Sequence, residues 1–183
     1  MQLNFSTNAP HTVPNEVWQL QNYLLNEAET LLGPKGNTII YQPEFKKVGG
    51  PQLINSNTRD GAWAALSPYA AQYWPTTAYE LAHETIHLLN PVHGYTNHFE
   101  EGIAVLFAER ISQHTESPQQ DDISAYRKAL ALIHHIPYDP FEVAKRVRSE
   151  CGALSKVTPE ILTKVFKLDT SVADELCKVC IPT

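Results

Sequence analysis

The chain has one methionine, at its first position, and three cysteines, Cys151, Cys177 and Cys180. An odd and sparse set of thiols does not make a disulfide framework and fits reduced side chains in the cytosol. Cys177 and Cys180 form a Cys-x-x-Cys, but a structural zinc site takes four ligands and no second pair lies nearby, so both are expected to be ordinary helix residues. No apolar run approaches the ~20 residues that span a bilayer. The N-terminus has neither the basic region nor the apolar stretch of a signal peptide. These absences predict a cytoplasmic protein without a membrane partner. Blocks of like charge are missing too, and 14 basic residues face 20 acidic ones, for a net charge of −6. Nucleic acid is therefore not expected as a partner, because phosphate binding needs a basic patch. What is present is a globular composition, 43% hydrophobic over 183 residues. A chain of that size buries roughly 70% of its unfolded surface and forms a core without covalent staples.

Apolar residues recur at helical spacing over 14–32, with Pro14 in the first turn and Gly33-Pro34 as the stop. Short β-rich runs follow at 38–41, 52–54 and 62–66, separated by proline, glycine and a turn at 57–61. Residues 76–89 are helix-like up to Asn90-Pro91. The next helix starts near Asn97, where Asn97 and Glu100 have the spacing of a capping box. Ser117-Pro118-Gln119-Gln120 breaks the pattern, and further helices are predicted at 121–136, 139–151, 158–167 and 171–180. The expected architecture is α+β: a small mixed or antiparallel sheet, a motif helix, then a helical C-terminal half. One domain would comprise a strand-rich part (1–75), a pair of metal-site helices (76–115) and a helical lobe (120–183).

The chemistry is concentrated in His83-Glu84-Thr85-Ile86-His87. Two histidines four positions apart lie one turn apart on one helix face, so both imidazoles reach one ion. Zinc suits imidazole nitrogen, and catalytic zinc takes three protein ligands plus a water. Glu84 lies about 100° around the helix from His83. There it can act as general base on a water activated by the metal, the logic of His-Glu-x-x-His. Leu81, Ile86, Leu88 and Leu89 suit that helix to burial.

Two residues compete as third ligand. Glu101, in Glu100-Glu101-Gly102-Ile103-Ala104, sits in the first turn of the following helix, which can fold back on the motif helix. His93 lies at the spacing of the metzincin signature, with Asn90 where glycine is usual. Metzincins also need a methionine turn after the motif, and no methionine follows Met1. By contrast, His83-Glu84-x-x-His87 followed by Glu101-Gly102-Ile103-Ala104 resembles the gluzincin metallopeptidases. In them the glutamate ligand lies on the helix after the motif, often within Asn-Glu-Gly-x-Ala; here Glu100 stands in place of the asparagine.

The resemblance spans about residues 76–110. It implies a zincin-like fold, Zn2+ held by His83, His87 and Glu101, Glu84 as catalytic base, and a peptide or protein substrate. It also implies an edge strand that binds extended peptide, for which the segment from Asp60 to Ala64 is the candidate. Glu109 is expected as carboxylate partner of a ligand histidine. Tyr95, Tyr126, His134, His135 and Tyr138 qualify by type as oxyanion donors. His93, Tyr95 and His98 are expected to line the cleft. The leading expectation is hydrolysis of peptide bonds. The alternative is an intracellular regulatory or partner-binding protein with little general peptidase activity, its helices after residue 120 holding the partner.

Overall fold

A computed structural model describes residues 5–58, 60–112 and 124–181. The break expected at Ser117–Gln120 and the start of the helix expected at 121 lie outside them.

The first long element is α1 (Pro14–Leu32). Proline in its first turn costs no hydrogen bond, and Gly33, at φ 86°, ends it in a conformation that favours glycine. Its apolar stripe, Val17, Leu20, Leu24, Leu25, Ala28 and Leu32, is buried. Four short strands follow: β1 (Ile39–Ile40), β2 (Glu44–Phe45), β3 (Gln52–Asn55) and β4 (Gly61–Leu66). Their sheet is mixed. β1 and β2 run parallel to β4, pairing with its first and last residues, and β3 runs antiparallel to it. β2 has no counterpart among the expected strands, because two residues after Pro43 carry no period to read.

One expectation is corrected here. The segment from Asp60 to Ala64 leads into and forms most of the central strand β4, which has partner strands on both sides, and so is not an edge strand for a peptide. Its Trp63 is half-buried and meets the Tyr41 ring edge-on at 6.3 Å. β1, β2 and β3 each pair with β4 alone, and of these it is β3 that borders the cleft described below.

The motif helix α2 (Trp74–Leu88) is buried on all sides except at Pro75, as expected of a helix at the centre of a core. It packs on α1, on β4 and on α3 (His98–Ser112). The helical half continues with α4 (Ser124–Ile133), α5 (Pro140–Cys151), α6 (Pro159–Phe166) and α7 (Thr170–Cys177). Asp139 caps α5 by accepting from the N–H groups of Phe141 and Glu142, and Asp169 caps α7 from Ser171. α3 and α4 pass closely at Gly102, where a Cβ would lie 2.7 Å from the carbonyl oxygen of Ala129 and 2.3 Å from Ile133. Among the described residues no helix is long and apolar enough to cross a membrane.

Two polar anchors fix α2. Near its middle, the buried Glu80 carboxylate accepts from the Ser67 N–H (2.8 Å) and hydroxyl (2.6 Å), holding the end of β4. At its end, Arg148 of α5 reaches Asn90 Oδ1 at 2.9 Å and the carbonyls of Leu32, Gly33 and Pro34 at 2.7–2.8 Å. A single guanidinium thus ties the ends of α1 and α2 to α5, satisfying carbonyls that a helix end leaves free.

Cys151 ends α5 and Cys177 ends α7. Cys180 follows α7 in an extended segment whose N–H donates to Thr96 O at 2.8 Å, beside a β-bridge between Asn97 and Val179. All three cysteines are free thiols. Burial pushes the Cys177 thiol up to about 11 and that of Cys180 up to about 12, leaving neither as a ready thiolate.

Candidate metal centre

The helical spacing of His83 and His87 turns both rings toward α3, and their Nε2 atoms lie 3.3 Å apart. α3 folds back against α2 and presents Glu101 in its first turn. Glu101 Oε2 is 3.3 Å from His83 Nε2 and 3.6 Å from His87 Nε2. An ion held tetrahedrally at about 2.0–2.1 Å spaces its ligands about 3.3 Å apart, so the three atoms form one face of such a tetrahedron. Glu101 Oε2 is buried without a hydrogen-bond partner, and a cation in the triangle would satisfy it. These residues fit a metal ion. Among the described residues, this is the group of histidine, cysteine and acidic side chains that could hold one.

Two of the three side chains are aimed by a neighbour. His87 Nδ1 donates to Glu100 Oε1 at 2.9 Å, which leaves the Nε2 lone pair pointing into the triangle. Thr96 Oγ1 donates to Glu101 Oε1 at 2.5 Å, which leaves Oε2 for the triangle. Asn97 Oδ1 caps the N–H of Glu100 at 2.9 Å. Only half of the expected capping box forms, because the Glu100 side chain turns to His87 instead of back to Asn97.

Electrostatics follow from that geometry. Burial opposes ionisation of Glu101, but the two imidazoles outweigh it and hold the carboxyl well below the usual range. Burial likewise opposes a charged His87, and Glu101 and Glu100 outweigh it to hold the ring well above its ordinary value. Glu84, only 3% exposed, is pushed up by burial, against the opposing pull of His83 and His87. A carboxyl so raised holds a proton more readily than one in water, as a general base must.

The triangle opens into a cleft of about 400 Å³, walled by Gln52, Leu53 and Asn55 of β3, by Val92, Gly94, Tyr95 and Thr96, and by Tyr126 of α4. Asn55 Nδ2 donates to Val92 O at 3.0 Å and closes one end of this wall. Tyr126 packs its ring against His83 at 5.3 Å between centroids, and burial raises its hydroxyl pKa, keeping it a protonated donor.

Several expected residues lie elsewhere. His93 is exposed and outside the triangle, whereas Glu101 is within it. Glu109 is exposed two turns further along α3; the carboxylate on a ligand histidine is Glu100. Of the cleft-lining candidates, Tyr95 is at the cleft, while His98 is buried with Nδ1 on Glu175 O at 3.0 Å. Of the five oxyanion candidates, Tyr126 and Tyr95 line the cleft, His134 and His135 are exposed, and Tyr138 lines a different groove, between α5 and α6. Thr96 had no signal in the sequence: a threonine before a helix reads as a cap, and here Asn97 takes that role. No protein-family model, curated protein or solved structure matches this chain.

Proposed function

We propose that the protein is a zinc-dependent peptidase of zincin-like build, in which His83, His87 and Glu101 hold the ion and Glu84 is the general base. The observation that carries this reading is the triangle of two Nε2 atoms and Oε2, with edges of 3.3, 3.3 and 3.6 Å, opening on a cleft beside a buried carboxylate. Zinc is the ion this donor set suits, since two imidazoles and one carboxylate with a fourth position open is a catalytic zinc set. Bound there, zinc supplies Lewis acidity and brings the pKa of a coordinated water to about 7.

The chain's own residues do the rest. Glu84 takes the proton from the attacking water and returns it to the leaving amine. Tyr126 offers its O–H to the carbonyl oxygen as negative charge develops. The free edge of β3 provides main-chain donors and acceptors along the cleft, which suits an extended peptide backbone. This edge is what favours a peptide over a small ester or amide.

The test is Glu84→Gln in zinc-loaded protein, assayed on a mixed peptide pool. The variant keeps its zinc and loses roughly 10²–10⁴-fold in turnover. Cleavage by the variant at the wild-type rate, or none by the wild type, refutes the assignment.

A further inference from the structure

We propose that Thr96 fixes how Glu101 meets the metal, confining it to one oxygen and thereby keeping the ion four-coordinate. The inference rests on the metal-centre reading and adds to it a residue that touches no ion itself. Thr96 is 7% exposed, and its hydroxyl spends its proton on Glu101 Oε1. That oxygen is turned away from the histidines, while Oε2 faces both. A carboxylate with both oxygens free can chelate a cation through two of them, as it does at larger, higher-coordinate ions. With one oxygen tied to a buried hydroxyl it offers a single ligand atom, and three protein atoms then leave one position of a tetrahedron for solvent.

Thr96 is not in place as a helix cap. Asn97 holds that role through its bond to the Glu100 N–H. Nor is Thr96 on a loose loop, although it follows an exposed turn. Its carbonyl accepts from Cys180 N at 2.8 Å, Asn97 pairs with Val179, and His98 N donates to Lys178 O at 2.9 Å. The segment after α7 therefore straps the backbone that carries the hydroxyl, and the hydroxyl in turn sets the carboxylate. Thr96 is a positioning residue, and its effect appears in the metal's coordination before it appears in turnover.

The experiment uses the full chain with Co2+ as the probe, because Co2+ absorbs strongly in the visible when four-coordinate and weakly when five- or six-coordinate. Thr96→Val, Thr96→Ala and Thr96→Ser are compared with the wild type, each first checked in the metal-free form by thermal unfolding. The alanine variant is included in case the valine does not fold. The wild type and Thr96→Ser are expected to give the strong band. Thr96→Val and Thr96→Ala should give a weak one, with Zn2+ affinity lowered about 10–100-fold in a chelator competition. The proposal is overturned if the folded valine or alanine variant keeps the strong band and wild-type affinity, or if serine behaves as they do. A wild type that takes up neither Co2+ nor Zn2+ overturns the metal-centre reading and this inference with it.

Discussion

His87 has consecutive residues of one helix at its two ring nitrogens: Glu100 accepts from Nδ1 at 2.9 Å, and Glu101 Oε2 stands 3.6 Å from Nε2. Adjacent residues on a helix diverge by about 100°, so one turn of α3 supplies both a proposed ligand and the carboxylate that orients another. Removing the orienting charge should therefore weaken metal binding without removing any ligand. Glu100→Gln is expected to lower zinc affinity about 10–100-fold, measured by competition with a chelating dye. An unchanged affinity would mean that Glu100 plays no part in aiming His87.

The lesson of that pair extends to what could be read beforehand. The pairing of His83 and His87 was legible because helical spacing alone puts the two imidazoles together. Glu101 was legible because a helix that follows a short loop folds back on its neighbour. Glu100 was not, since nothing local says which way two adjacent acids point, and the spacing to Asn97 suggested a cap. The sheet was harder still. The Gly61–Leu66 run reads as a strand from its composition, but its central position depends on partners as far back as Ile39. Pairing across that distance leaves no trace in the run itself, so an edge was assigned to β4, the one strand that pairs with all three others.

Tyr126 lies against His83, and its hydroxyl stays protonated across the physiological range. Tyr126→Phe removes the donor and leaves the ring packing in place. Turnover should fall by about 10²-fold, with zinc content unchanged by elemental analysis and thermal stability nearly unchanged. Full activity in that variant would exclude Tyr126 as the oxyanion donor.

Gly102 is where α3 and α4 come closest. Alanine there gains up to about 1 kcal/mol of helix propensity. The added methyl, however, would stand 2.7 Å from the Ala129 carbonyl oxygen, a backbone atom that cannot step aside as a side chain could. Overpacking of that kind costs about 1–3 kcal/mol, so the clash is expected to prevail. Each kcal/mol lost lowers the unfolding midpoint of a chain this size by roughly 2–4 °C. Calorimetry on Gly102→Ala should show a drop, and a rise would show that α4 moves freely.

The most direct measurement is the zinc content and zinc-edge absorption spectrum of protein purified without chelators. The expected result is one zinc per chain, with two nitrogen and two oxygen neighbours at about 2.0–2.2 Å. The zinc should be lost in both His87→Ala and Glu101→Ala and retained in His93→Ala. Protein that binds no zinc, or that keeps it in Glu101→Ala and loses it in His93→Ala, would contradict the assignment of the centre to His83, His87 and Glu101.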